Sequence, residues 1–451
     1  MLDQRSQKGL WRRALVRAWK KTEFRRFWFF FGSGGLSVLV ALTEAGLRWQ
    51  SMRDVEHLVG AFVVTYAACT LVWYLVNVPA ALLEVVKEVA PKPRPHLDAR
   101  MQIGNTGEYF EGRLYDLGNL HALCVRLVGT GDEEFPKNTV KCIYRDRPYR
   151  LPPQFQSERE SVIARLKQEA VSHKSPFYDG PCVRLESYHA NPVDATERKH
   201  LTLEVAPLDW FDHSVSDVFV QKMLAGQTEY RPSDFLDLAR LSNGTIDGNK
   251  LSCILCTIST IFTSDGYVLV AKRGSWLSVR RDSFSSSVDE NVHREKDGAD
   301  DSVDLFHTVL RGIEEEVSLR VRMCLTDDAP RLLGIGVGLD ELHPTLLFSV
   351  FLPLSRESLM KLYRENLGRD FQESRLRAIS IENDWAEVRQ ALTAQPWEEA
   401  GRASIMRAIE FVEAVARRGD ETCLRTVQRL ARESRRPEYQ DPTEGNGDQK
   451  Q

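Results

Sequence analysis

The chain has 451 residues, which is enough for two or three domains. Its hydrophobic fraction of 42% and charged fraction of 27% are typical of globular proteins, so most of the chain can bury a core. The formal net charge of −4 gives no electrostatic basis for binding nucleic acid, which we exclude as a partner. The eight scattered cysteines do not indicate a disulfide scaffold, and Cys253 and Cys256 lack the second ligand pair typical of a zinc site.

The N-terminal part predicts a membrane hairpin. Residues 1–26 carry nine Lys or Arg against two acids, and they form a basic N-terminal segment. Residues 27–43 and 58–83 then contain no charged residue, and the second run of 26 residues is long enough to span a bilayer. We therefore predict a transmembrane helical hairpin over residues 27–83. A cleaved signal peptide and a buried helical pair are the alternatives, and the long basic segment disfavours the first of them.

The orientation of this hairpin follows from its flanks. Basic residues lie on both sides of it, whereas the charges of the short loop between the two runs are balanced. The positive-inside rule then predicts a membrane protein with both termini in the cytoplasm. Residues 84–100 contain the segment KPRP and form a stiff linker to the cytoplasmic part.

Residues 101–150 carry strand patterns separated by Gly, Asp and Asn turns, and they predict a small β module. The segment has a faint similarity to PilZ domains at Asp116, but it lacks the Ser, the Gly and the RxxxR of that family. Residues 151–250 follow as a mixed region, with a helix over residues 158–173, two strands and a short helix over residues 233–241.

Residues 251–420 predict a second α/β (α+β) domain, and residues 433–451 a polar, disordered tail. A strand at 251–262 turns at the SDG of residues 264–266 into the strand YVLVAKR, and a polar loop covers residues 274–303. The later elements are an amphipathic helix over 301–317 capped by Asp300 or Asp301, strands at 332–337 and 346–352, and helices at 385–394 and 398–417.

The helix over residues 301–317 contains the stretch RGIEEEVSL. On a helical wheel one apolar stripe faces the core, and it consists of Phe306, Val309, Leu310, Ile313 and Val317. Glu314 points to solvent and Glu315 lies outward near Arg311, whereas Glu316 falls within about 20° of Val309 at the edge of the stripe. A carboxylate so close to the core needs a partner.

Gly312 lies one turn before Glu316, in a position where glycine costs about 1 kcal/mol of helix stability. It is tolerable where another group approaches the backbone closely. A divalent ion held by Glu315 and Glu316 explains both features, and oxygen ligands favour Mg²⁺ or Mn²⁺. A solvated, charged helix face is the alternative for this helix taken alone.

The order of strand pair, polar loop, carboxylate helix and glycine-rich strand resembles the Nudix hydrolase superfamily, whose box runs G-x5-E-x7-R-E-U-x-E-E-x-G-U. Arg311, Ile313 and Leu319 match the box, and so do Glu315 and Glu316. Gly312 replaces a metal-binding Glu, Ser318 replaces a Gly, and the upstream G-x5-E is missing. The box is therefore degenerate.

Residues 160–365 are similar to the UDP-glucose pyrophosphatase branch of this superfamily, on segments such as FYDGPCVRLESYHA and HPTLLFSVFLPLS. The resemblance implies a Nudix-like α/β/α sandwich and Mg²⁺-dependent cleavage of a nucleoside diphosphate derivative, with UDP-sugars among the candidates. It implies Glu315 and Glu316 as metal ligands and Arg311 as their support. Glu290 or Asp304 is our candidate for the missing carboxylate, and Lys272 and Arg273 are our candidates for contacting phosphate.

Two other functions remain open. One is a Nudix-like module that has lost catalysis and senses a nucleotide-type ligand at the membrane. Gly312 and Ser318, which depart from the box, favour this alternative. The other is a structural or partner-binding unit that uses the helices between Trp385 and Arg417. The sequence leaves the sugar, the nucleobase and the oligomeric state open.

Overall fold

The computed structural model describes residues 114–439 apart from 118–119, 174–179, 193–198, 238–239, 241–243, 245–249, 274–282, 300–301, 367–372 and 395. The chain divides into the units Met1–Arg94 and Pro95–Gln451, and the described residues all belong to the second. The predicted hairpin and linker, as well as residues 440–451, lie outside them. In the part that the structure describes, no helix has the length and apolar character to cross a bilayer.

Most of the longer strands are rich in buried apolar or β-branched residues, as expected for sheets that are covered on their faces. In chain order they are β1 (Leu114–Leu117), β2 (Leu120–Val128), β3 (Val140–Tyr144), β4 (Pro181–Pro192), β5 (Lys199–Asp209), β6 (Cys256–Thr263), β7 (Tyr267–Arg273), β8 (Phe284–Ser285), β9 (Val288–Asn291), β10 (Gly298–Ala299), β11 (Ser302–Val303), β12 (Arg331–Gly338), β13 (Pro344–Leu352) and β14 (Glu373–Ser380).

The helices flank these strands. In chain order they are α1 (Pro153–His173), α2 (Trp210–Leu224), α3 (Arg294–Asp297), α4 (Leu305–Gly312), α5 (Leu319–Met323), α6 (Arg356–Asn366), α7 (Ala386–Ala394), α8 (Glu399–Arg418) and α9 (Cys423–Glu433). A π-helical turn, Ile313–Val317, joins α4 to α5 and contains the three glutamates.

Two sheets organise the described residues. The larger sheet has the strand order β1-β2-β12-β13-β6-β7-β14, with β8 beside β7 and β9 beside β6. Its pairs are antiparallel except for β13 with β6, which run parallel. The smaller sheet has the order β10-β11-β3-β5-β4, with β3 and β5 parallel. The observed architecture is a mixed α/β fold, as the sequence predicted.

The larger sheet is covered by a helix on each face. From β13, Phe348 packs edge-to-face on Phe306 of α4, with ring centroids 5.4 Å apart. Phe351 of the same strand contacts Phe411 of α8, at 6.5 Å. Alternate side chains of a strand point to opposite faces, so α4 and α8 lie on opposite sides of the sheet. The glutamate turn therefore belongs to the α4 face.

Several elements differ from the sequence prediction. The strands of residues 101–150 are divided between the two sheets, because β2 pairs with β12 and β3 pairs with β5. The polar loop predicted over 274–303 contains β9, which pairs with β6 in the larger sheet. A 3₁₀ turn, Pro232–Asp234, lies at the start of the short helix predicted over residues 233–241, and residues 238–239 and 241 of that span lie outside the described residues. The disordered tail was predicted to begin at residue 433. The backbone N–H of Arg436 donates to the Cys324 carbonyl, so the ordered chain continues past that residue.

Candidate active site

The glutamate helix begins at Asp304, and not at Asp300 or Asp301 as predicted. The Asp304 carboxylate accepts hydrogen bonds from the backbone N–H groups of Phe306 and His307. Residues 302–303 immediately before it are paired in β11, so their extended backbone prevents an earlier helix start. Asp304 therefore lies at the N-terminal end of α4, whereas the three glutamates follow its C-terminal end.

The apolar stripe predicted on the wheel is confirmed, since all five of its side chains are buried. The three glutamates differ in exposure in the predicted sense. Glu314 and Glu315 are exposed, whereas Glu316 is half-buried beside the core. The π-helical turn widens the backbone here, a feature that is frequent at functional sites.

Arg311 is the centre of the polar contacts in this region. Its Nε and Nη2 donate to the two carboxylate oxygens of Asp297, at 2.9 and 3.0 Å. Its Nη1 donates to Glu290 Oε2 at 2.7 Å and to Glu315 Oε2 at 3.4 Å. Because the Arg311 side chain is only 9% exposed, its charge-assisted bonds to Asp297 and Glu290 are weakly screened by solvent. Arg311 thus joins carboxylates from three separate elements.

Glu290 reaches this cluster from β9 and lies against Gly312. A Cβ added to Gly312 would stand 2.6 Å from Glu290 Cγ and 2.7 Å from Val288 Cγ1. Glycine is therefore required here by the close approach of β9, and not by a left-handed backbone. Burial raises the pKa of Glu290 to about 7 in spite of the opposing charge of Arg311. The structure brings Glu290 and Glu315 together through a single donor.

Asp304, the other candidate for a third carboxylate, does not join this cluster. Its Oδ2 pairs with Lys137 Nζ at 2.9 Å, and its other oxygen caps the helix. Eleven residues separate it from Glu315, which corresponds to about 16 Å along a helix. We therefore assign Asp304 as a helix cap and remove it from the candidate site.

Arg273 and Lys272 end strand β7. Arg273 Nη1 donates to Asp289 Oδ2 at 2.9 Å and to Glu398 Oε2 at 3.1 Å. Burial raises the pKa of Asp289, and the charge of Glu398 adds to this effect. Arg273 accordingly ties the edge of β9 to the start of α8, a structural role that competes with phosphate contact. Lys272 is half-buried at the same strand end.

Asp297 is a site residue that the sequence reasoning missed. It is 3% exposed and also accepts the backbone N–H of His293 at 2.9 Å. Burial alone would raise the pKa of Asp297, but the hydrogen bonds and the charge of Arg311 hold it below its ordinary value. The loop is rich in acids, so its sequence contains no signal that separates Asp297 from its neighbours.

The cysteine pair of residues 253 and 256 lies in the core. Cys253 and Cys256 are buried, and burial raises the pKa of both thiols. Cys256 Sγ donates to Asn291 Oδ1 at 3.0 Å and lies 3.8 Å from His343 Nε2. Both thiols are therefore held in their neutral form.

The carboxylates around Arg311 do not form a complete metal site by themselves. Over the described ranges, no group of three or more His, Cys, Asp and Glu side chains is arranged to hold a metal ion. Mg²⁺ at phosphate sites usually takes one or two carboxylates and completes its shell with water and substrate oxygens. Glu290 and Glu315 share the donor Arg311 Nη1, so these two carboxylates are the ones that could supply oxygens to an ion of that kind.

Comparisons with known proteins leave the family open. No protein-family model matches the sequence, and no curated protein matches it either. Among solved structures, the chain is similar to the 1.9 Å crystal structure of DR0079 from Deinococcus radiodurans, with 12% identity over 35% of this chain and 82% of that one. The TM-score of 0.24 is too low to carry an argument about fold or function.

Proposed function

We propose that the chain is a membrane-anchored Nudix-type hydrolase that cleaves the pyrophosphate bond of a nucleoside diphosphate derivative, with UDP-sugars among its candidate substrates. The observation that carries the proposal is the packing of Glu290 against Gly312. In the Nudix box a carboxylate follows the Arg on the helix. The proposal assigns the role of that carboxylate to Glu290 of β9, whose side chain packs beside Gly312.

The residues of the chain have distinct parts in this proposal. Glu315, Glu316 and Glu290 would hold Mg²⁺ or Mn²⁺ together with the diphosphate oxygens. When bound, such an ion neutralises phosphate charge and activates water. Arg311 keeps Glu290 and Glu315 adjacent through Nη1. Lys272, half-buried at the end of β7, is retained as a candidate for a direct phosphate contact.

A second candidate is a Nudix-like module that binds a nucleotide-type ligand at the membrane without turning it over. One observation favours it: a single Arg311 nitrogen engages an oxygen of Glu290 and an oxygen of Glu315. A metal ion has to compete with that guanidinium for both oxygens. Slow turnover or none is the expected consequence if the competition favours Arg311.

Turnover measurements separate the two candidates. The full chain, purified in detergent, is incubated with Mg²⁺ or Mn²⁺ and UDP-glucose, ADP-ribose or dinucleoside polyphosphates, and released nucleotide is measured. The hydrolase proposal predicts turnover that Glu316→Gln abolishes and that the matched change Glu314→Gln, at an exposed neighbour, leaves intact. Ligand-dependent thermal stabilisation without turnover supports the second candidate. If every substrate gives no turnover and no thermal stabilisation, both candidates are rejected.

A further inference from the structure

The chain returns to the glutamate region at its C-terminal end. After α9, residues 434–439 run beside the chain that directly follows α5, and we call this segment the C-terminal strap. The backbone N–H of Thr326 donates to the Ser434 carbonyl at 3.1 Å, and that of Arg436 donates to the Cys324 carbonyl at 2.9 Å. The strap therefore pairs in antiparallel fashion with the chain that leaves α5.

Helix α5 needs support from its surroundings. It has 5 residues, whereas an isolated helix needs about 12–15 to be even marginally stable. Leu319 and Met323 are 46% and 54% exposed, so Val321 is the apolar side chain of α5 that enters the core. At the other end, Ser318 caps α5 with its side chain and donates its backbone N–H to the Ile313 carbonyl of the glutamate turn. Helix α5 thus joins the turn to the strap.

The strap is held by bonds that lie close to solvent. Arg436 pairs with Asp327 at 3.5 Å, and because these side chains are 38% and 65% exposed the pair contributes little to stability. Pro437 and Glu438 are exposed, whereas Tyr439 packs against the core. A segment with few buried apolar contacts opens at a lower free energy than the whole protein. We therefore expect the strap to detach more easily than the sheets unfold.

We propose that the C-terminal strap is a latch on α5, which holds α5 and the glutamate turn in place while it is bound and lets both open when it detaches. The backbone bonds at Cys324 and Thr326 fix the end of α5, and Ser318 transmits that restraint to the turn. An effect of the latch on catalysis rests on the proposed function, whereas the opening of α5 and the turn does not.

Hydrogen exchange of the full chain in detergent, followed by mass spectrometry, tests the latch without any ligand. Arg436→Pro removes the N–H that bonds to the Cys324 carbonyl and leaves the chain length unchanged. We expect exchange over residues 313–326 to become about tenfold faster, because the restraint of that backbone bond is lost. Exchange in β13, at the centre of the larger sheet, should keep its wild-type rate.

The matched control at the same position is Arg436→Ala, which removes the pair with Asp327 and keeps the backbone N–H. It should change exchange over residues 313–326 by less than about threefold. A chain that ends at Arg435 removes the same N–H by a second route. It should match Arg436→Pro, so the test does not depend on how one substitution folds.

Three results overturn the inference. The first is wild-type exchange over residues 313–326 in both the proline variant and the shortened chain. The second is faster exchange that stays confined to residues 324–326, because the strap would then protect only its own bonds. The third is exchange that rises equally in β13, which would indicate general destabilisation. A chain without turnover would reject the proposed hydrolase and leave these exchange results unaffected.

Discussion

Glu290 lies in the space that a side chain at position 312 would need: a Cβ on Gly312 would approach the Glu290 Cγ to 2.6 Å. The relationship joins β9 to the glutamate helix, and it explains why a glycine interrupts an otherwise strong helix sequence. It also supports the proposal that Glu290 supplies the carboxylate that the helix lacks after Arg311.

Gly312→Ala tests this packing. An alanine gains about 1 kcal/mol of helix propensity, but overpacking against Glu290 and Val288 costs about 1–3 kcal/mol. We therefore expect a net loss of stability in urea unfolding. Gly419→Ala is the matched control, because its Cβ would meet the nearest atom at an ordinary 3.5 Å. A Gly312→Ala protein more stable than the wild type would show that β9 does not pack closely on the helix.

Arg273→Met tests whether this arginine is structural. Removing the guanidinium takes their shared donor from the half-buried Asp289 and the buried Glu398, and breaking a buried ion pair costs about 3–5 kcal/mol. The free energy of unfolding should fall by that order in chemical denaturation. Arg377→Met on the neighbouring strand β14, where the side chain is exposed, should change it by less than about 0.5 kcal/mol. Equal effects of the two changes would return Arg273 to the list of candidate phosphate contacts.

His213 predicts a pH dependence of stability. Its Nδ1 lies 3.0 Å from Ser252 Oγ, and burial, with the nearby charge of His343, lowers the pKa of His213 to about 3. Below about pH 6.5 the unfolded chain takes up a proton that the folded protein does not. The free energy of unfolding should then fall by up to about 1.4 kcal/mol per pH unit on acidification from pH 6.5 to 5.

The contribution of His213 is isolated by comparing the wild type with His213→Asn in urea at pH 7.5, 6 and 5. Because the variant has no imidazole to protonate, its stability should decline less on acidification. The stability difference between the two proteins should therefore shift against the wild type as the pH falls. Parallel pH profiles would mean that His213 titrates normally in the folded state.

The sequence predicted those parts of the fold that depend on local pattern. The stripe ending at Val317 is buried as the 3.6-residue period required, and the predicted strands correspond to β12 (Arg331–Gly338) and β13 (Pro344–Leu352). The turn at Gly266 and the long helix α8 were also found from local signals. Short-range periodicity and turn chemistry suffice for elements of this kind.

The candidate site was predicted only in part, because its other half comes from distant residues. Strand β9 reads VDEN, which has no apolar alternation, and it becomes a strand only through pairing with β6. Glu290 was a candidate, but its contact with Gly312 depends on that long-range pairing. Asp297 lies 14 residues from its partner Arg311. Glu398, the second partner of Arg273, lies 125 residues from it. No local pattern encodes such contacts.

The central claim is that Glu290 supplies the carboxylate that Gly312 lacks, and hydrolysis by Glu290→Gln tests it most directly. The amide keeps the side-chain shape and can still accept from Arg311, so the variant should fold. With Mg²⁺ and the best substrate of the wild type, the account predicts that kcat/KM falls at least about 100-fold, which corresponds to about 2.7 kcal/mol of transition-state stabilisation. The control Glu134→Gln, whose carboxylate pairs with Arg331, should keep wild-type activity. A folded Glu290→Gln protein with wild-type kcat/KM would contradict the account.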